Sequence, residues 1–232
     1  VTNMSEMFED AVAFNQDISN WNTAQVESMN YMFTGATLFN QDISTDGVKW
    51  NTSSVTIMND MFKNATAFNG DISEWDTSSV QEMDEMFYGA SDFNQDINTN
   101  ENIWNISLIT NMENMFHGAT AFDGNISGWN TAAVTNMSEM FYGAAAFNQD
   151  ISTNEEIWNT AAVTNMENMF RGATAFDGNI SGWNTSAVEN MNSMFHDAKF
   201  FNQDISAWNT SSVTNMSYMF WNSILFDQPI NT

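Results

Sequence analysis

The chain predicts an α/β solenoid, a stack of nine coils that each contain a short helix and a short parallel β-strand. Three observations carry that expectation. All 18 methionines fall in one frame, Val-x-x-Met-x-x-Met-Phe-x-x-Ala-x-x-Phe, which recurs nine times from Val1, Val26, Val55, Val80, Ile109, Val134, Val163, Val188 and Val213. The starts are 25 or 29 residues apart, a period typical of arrays in which one supersecondary unit stacks on the next. Within each repeat the apolar period changes from that of a helix to that of a strand. The domain is then a single array over residues 1–232, divided into repeats 1–25, 26–54, 55–79, 80–108, 109–133, 134–162, 163–187, 188–212 and 213–232. Without polar capping repeats at its ends, the array is expected to be a segment of a longer chain.

At 100° per residue, Val1, Met4, Met7, Phe8, Ala11 and Phe14 fall in one arc and predict an amphipathic helix of about three turns. Thr23, Thr52, Thr77, Thr131, Thr160, Thr185 and Thr210 stand just ahead of the helices as N-caps; Ile106 breaks this series and shifts the cap to Ser107. After Ala11, Phe14, Gln16 and Ile18 alternate with Asn15, Asp17 and Ser19, predicting a strand whose second set points outward. A column from Trp21 and Trp50 to Trp208 follows the strand. One Trp per repeat at fixed phase reads as core rather than as a row of sugar platforms. Each repeat is too small to offset its own ordering entropy, so stability must come from stacking.

Charge narrows the function. Twenty-nine Asp and Glu against four Lys and Arg give a formal charge of -25, which disfavours nucleic acid and anionic lipid as partners. Absence of cysteine removes disulfides and thiolate metal sites, and no apolar run is long enough to span a bilayer. His117 and His196 share a variable phase with Lys63, Tyr88 and Arg171 and read as solvated surface; no nucleophile–base order, phosphate loop or histidine pair suggests an enzyme.

Two surfaces could bind something. The outward strand row keeps one carboxylate per rung, at Asp17, Asp42, Asp71, Asp96, Asp123, Asp150, Asp177 and Asp204, with the Asn-x-Asp order reversed at Asp123/Asn125 and Asp177/Asn179. Such a row is either a plain polar ladder or a set of Ca²⁺ sites in which neighbouring rungs pool oxygens, and no other cofactor is expected. The 29-residue repeats add loops on one edge, with Asp46, Lys49, Asn100, Glu101, Asn154 and Glu155 as contact candidates; Trp221 is a candidate for an end contact.

The strings Phe-Asn-Gln-Asp-Ile-Ser-x-Trp-Asn-Thr and Val-Thr-Asn-Met-Ser-x-Met-Phe-x-Gly-Ala, clearest over residues 134–152 and 213–220, resemble the BspA-like leucine-rich-repeat surface proteins and a repeat of unknown function in mycoplasma lipoproteins. The resemblance implies a leucine-rich-repeat-like stack, with Met, Phe and Trp replacing Leu. It also implies a non-enzymatic chain at the cell surface or outside the cell, acting in adhesion to a protein or glycan of a cell or matrix surface, or as a spacer. The alternatives are a filament or surface layer assembled end to end and, third, an ice- or mineral-binding face.

Overall fold

The computed structural model describes residues 1–43, 50–98, 104–151 and 158–230. The nine coils stack with equivalent positions in register, but the expectation of a helix-plus-strand solenoid is wrong: among the described residues there is no helix and no extended strand. The coils are built from consecutive turns, joined by isolated parallel bridges such as Asn3↔Ser28, Ser28↔Ile57 and Asn136↔Asn165.

Numbering each repeat from its first Val or Ile, the reason no helix forms lies at positions 6 and 10. Position 6 has positive φ in every repeat, from Glu6 at 59° to Tyr218 at 58°. Position 10 does too, through Asp10, Asn64, Asp197, Asn222 and the glycines at 35, 89, 118, 143 and 172. A left-handed residue every four positions cannot belong to a right-handed helix. The backbone groups are satisfied in another way. N–H groups at even positions donate to the next coil, as in Met29 to Ile57 O, Tyr31 to Asn59 O, Phe33 to Met61 O and Gly35 to Lys63 O at 2.8–3.0 Å. Those at odd positions close turns three residues back, as in Met32 to Met29 O and Thr34 to Tyr31 O. Each coil therefore needs its neighbour to complete its hydrogen bonding, a stronger dependence than stacking of preformed helices would impose.

The spacing read as a helix face is a set of inward turn positions. Val, both Met, Phe8-type and Phe14-type rings, Ala and Ile fill the core, and from repeat 2 to repeat 8 almost all are fully buried. Within a coil the two Phe rings stack at 3.9 Å, as in Phe62–Phe68, and each stacks on its counterpart in the next coil, as in Phe62–Phe87 at 5.7 Å. The Trp column is buried from Trp50 to Trp208, so its rings are unavailable as sugar platforms. From Trp75 to Trp183 each indole N–H reaches back to the Ile carbonyl of the preceding coil, as in Trp129 Nε1 to Ile97 O at 2.8 Å.

With no helix to cap, the threonines have a different role from the one expected. The Thr52 hydroxyl donates to Asp76 O of the next coil, and Thr23, Thr77, Thr131, Thr160 and Thr185 repeat the bond at 2.9–3.0 Å. The Thr carbonyl accepts the N–H of the Val three residues on, closing a turn. At the Ile106 position, Ser107 caps nothing; its N–H donates to Asn105 Oδ1.

Candidate interaction surface

The outward Asn and Asp residues are the reason no β-sheet forms. At position 15 the side-chain Oδ1 of each coil accepts the backbone N–H of the same position in the next. The chain of bonds runs Asn15 to Asn40, Asn69, Asn94, Asp123, Asn148, Asp177, Asn202 and Asp227, at 2.7–2.9 Å. A side chain thus takes the donor that a sheet would give to a neighbouring carbonyl. Asn and Asp serve equally because only the Oδ1 acceptor is used, which accounts for Asp123 and Asp177 where the other acceptors of the column are Asn.

Position 17 follows the 25/29 alternation. In the long repeats, Asp42, Asp96 and Asp150 reach forward to the N–H of Asp71, Asn125 and Asn179 in the next coil. In the short repeats, Asp17, Asp71, Asn125, Asn179 and Asp204 turn back to the N–H of the Ser two residues on. Hydrogen bonding from the side chain and then the backbone of Ser19 lowers the Asp17 pKa, and from the backbone and then the side chain of Ser206 that of Asp204. Each carboxylate in the row therefore holds a backbone amide. Among the described residues no three His, Asp or Glu side chains converge as a metal site would require.

Position 16 was expected to face the core, yet its Gln residues lie along the outside. Gln95 Nε2 donates to Asn69 O and Oδ1, and Gln149 Nε2 to Asp123 O and Oδ1, at 2.8–2.9 Å. Each leans over the coil before it, where position 16 is Gly70 or Gly124. Gly124 is required for a second reason: a Cβ there would sit far inside contact distance of the Gln95 carbonyl oxygen and 2.9 Å from its carbon. Gly70 and Gly178 meet Gln41 and Gln149 in the same way. Long and short coils thus form a two-coil unit.

Position 9 carries a stripe that sequence reasoning took for solvated side chains. Lys63 lies over the Tyr88 ring at 5.2 Å, Tyr88 stacks on His117 at 4.3 Å, and His117 on Tyr142 at 4.4 Å. Arg171 covers the other side of Tyr142 at 5.4 Å, and His196 meets Trp221 at 4.5 Å. The histidines are half-buried and partnered, contrary to expectation: His117 Nδ1 lies 3.3 Å from Glu139 and 3.1 Å from Asn114, and His196 Nε2 lies 3.3 Å from Asp197. Desolvation pulls the His117 pKa down against the opposing pull of Glu139. Desolvation and then Arg171 do the same at His196. Lys63 pairs with Asp60 and Glu85; burial opposes its charge, but those hydrogen bonds outweigh it and raise its pKa. Because the rings face one another, the stripe offers ring edges, hydroxyls and cations rather than open ring faces. The signal for it was the run of aromatic, histidine and cationic residues at one position in repeats 3 to 9.

Of the other contact candidates, Asp46, Lys49, Asn100, Glu101, Asn154 and Glu155 lie outside the described residues. Trp221 is exposed at the C-terminal end of the stripe. Among the described residues no helix is long and apolar enough to cross a membrane.

A comparison with curated proteins finds no match. Among solved structures, the chain is similar to a leucine rich cell surface protein from Faecalibacterium prausnitzii A2-165, with 18% identity and a TM-score of 0.47 over 67% of this chain. The matched region spans 37% of that protein's length. A family model described as "Mycoplasma protein of unknown function, DUF285" matches residues 1–99, 98–156 and 153–232, which agrees with the mycoplasma-type repeat seen in the sequence. The chain belongs to that family of Mycoplasma-type repeat proteins.

Proposed function

We propose that the chain is a non-enzymatic binding array at the cell surface or outside the cell, whose position-9 stripe and neighbouring outward columns recognise a protein or glycan. The observation that supports this reading is the contrast between inward and outward positions across the nine repeats. Inward positions repeat the same Met, Phe, Ala, Ile and Trp, whereas position 9 runs Glu9, Thr34, Lys63, Tyr88, His117, Tyr142, Arg171, His196 and Trp221. A rigid core that holds a sequence of differing side chains at regular spacing is the arrangement by which repeat proteins build extended binding surfaces. Aromatic residues and Arg are also the types that dominate interface energetics.

The test is binding of beads coated with the chain to immobilised extracellular-matrix proteins and to a glycan array, beside a Tyr88→Ser/Tyr142→Ser/Arg171→Ser variant. Saturable binding to a defined partner, weakened at least tenfold in the variant, is expected. Binding no stronger than that of beads carrying an acidic polypeptide of equal charge would reject the proposal.

A further inference from the structure

Outward positions 12 and 13 form a side face that differs from the rest of the surface. At its two ends it exposes large apolar side chains, Val12 and Leu38 in repeats 1 and 2, and Phe200, Ile224 and Leu225 in repeats 8 and 9. The exposure of Leu38 at 55% and Phe200 at 58% is not an effect of the array's ends, because each has a coil on both sides. Repeats 3 to 7 carry only Thr, Ser and Ala at these positions, apart from Asp92. With Lys199 as the one cation, this face has no net charge on a chain of -25.

The two apolar ends are related by symmetry about the middle coil. Counting coils from one to nine, the apolar residues occupy coils 1 and 2, and 8 and 9. A two-fold axis through coil 5, near Ala121, superposes one pair on the other. We infer that two copies of this chain associate side by side and antiparallel through this face. Val12 of each copy then packs against Ile224 and Leu225 of the other, and Leu38 against Phe200. Such a contact is isologous and closes at two. The Thr, Ser and Ala side chains between the ends allow the backbones to approach. Asp92, in coil 4, meets coil 6 at Ala146 rather than its own counterpart, so no like charges face each other across the seam. The ring planes of the Phe8-type column change by only 1–9° from coil to coil, so the stack does not bend sharply between the two ends.

A second copy fits this face better than a lipid surface does, because an anionic bilayer repels the chain and would contact both apolar ends only without a seam to pair them. The remaining charge of the two copies opposes association over long range. Screening shortens that range from about 30 Å at 0.01 M salt to about 8 Å at 0.15 M. The dimer should therefore tighten as salt is added, the reverse of association held by ion pairs.

Sedimentation of the whole chain in the micromolar range tests this, with cysteine pairing to fix the orientation. The expected result is a monomer–dimer equilibrium that stops at two and shifts at least tenfold toward dimer between 0.02 and 0.3 M NaCl, as the Debye length falls from about 20 to about 6 Å. Phe200→Asp and Leu38→Asp should each abolish it while leaving the unfolding midpoint nearly unchanged, since both side chains are exposed. The chain has no cysteine, so Leu38→Cys mixed with Phe200→Cys under oxidation should give a covalent heterodimer, and Leu38→Cys alone should not. A strict monomer, open-ended growth from end-to-end stacking, self-crosslinking of Leu38→Cys, or flotation of a monomer with phosphatidylcholine vesicles would each overturn the inference.

Discussion

The coils that alternate in length and the short coils that follow them are joined in different ways. Where a long coil meets a short one, as between repeats 4 and 5, three additions strengthen the junction. Asp96 reaches the Asn125 N–H, Trp129 Nε1 reaches Ile97 O, Gly124 lets the backbones approach, and the Asn94–Asp123 bond of position 15 continues. Where short meets short, between repeats 7 and 8, the position-15 bond, the inter-coil backbone bonds, the Thr185 hydroxyl bond and the Gln203 amide's bonds to Asp177 persist, but the forward carboxylate, the indole bond and the glycine approach do not. Asn179 turns back to Ser181, and the buried Trp208 Nε1 has no acceptor. The difference teaches that coils with the same inward residues are joined unequally: the Asp of a long coil reaches forward to the next coil, whereas its counterpart in a short coil turns back on its own chain.

The largest effect should come from filling the close approach. Gly124→Ala forces the Gln95 carbonyl to move and obstructs the amide of Gln149 above it, at an expected cost of about 2–3 kcal/mol. Denaturant unfolding would register this, with Ala121→Ser, on the outer face of the same coil, as the control. A midpoint unchanged by Gly124→Ala would mean that the two-coil unit does not depend on that contact. The comparison itself is then tested by Trp129→Phe and Trp208→Phe. Both lose the same ring area, but only Trp129 gives up a satisfied hydrogen bond and leaves Ile97 O short of a donor, whereas Trp208→Phe removes a buried N–H that already lacks a partner. Trp129→Phe should be the more damaging by about 1–2 kcal/mol, and equal losses would erase the distinction between the two kinds of junction.

Much of this arrangement was legible in the sequence, though not as the elements it was taken for. The stacking period and the burial of Met, Phe and Trp follow from the nine-fold frame alone. The helix does not, because inward residues at Val1, Met4, Met7, Phe8 and Ala11 suit a run of turns as well as a helix. The deciding signal was position 10, which is Gly, Asn or Asp in every repeat. Those are the residues that tolerate left-handed backbone, and five glycines within supposed helices argued against helix. Position 6 gave no such warning. Glu6, Tyr31 and Ser193 have no preference for positive φ, and in each the N–H donates to a carbonyl of the next coil; Tyr218, in the last coil, has positive φ as well. The Asn and Asp of position 15 were recognised as polar and outward, but their partner is a backbone amide one coil away, which cannot be identified before the register between coils is known. The stripe at position 9 was missed for the same reason: residues 25 or 29 apart in the chain become ring-stacking neighbours only once the coils are stacked.

The smallest expected effect concerns the carboxylate row, whose alternation at position 17 is the most direct mark of the two kinds of junction. We propose that Asp17, Asp42, Asp71, Asp96, Asp123, Asp150, Asp177 and Asp204 act as hydrogen-bond acceptors that secure turns and coils, rather than as ligands of Ca²⁺. Calcium takes six to eight oxygens. At each of these residues one carboxylate oxygen is already directed at a backbone N–H, and the neighbouring coil often supplies a single amide oxygen engaged in the same way. Divalent cations should still raise the thermal unfolding midpoint of a chain of charge -25 by screening its self-repulsion, so the informative quantity is the difference between ions. Unfolding in excess chelator, in millimolar Ca²⁺, in millimolar Mg²⁺ and in NaCl of matched ionic strength should give midpoints for the two divalent ions that agree within about a degree. Specific binding at 100 times the dissociation constant would add about 2.7 kcal/mol to the folded state. A calcium-selective rise of that size would show that the row has an occupant. The forward reach of Asp42, Asp96 and Asp150 would then be one geometry of a metal-holding surface, and the difference between long and short junctions would have to be explained by the ion rather than by hydrogen bonding alone.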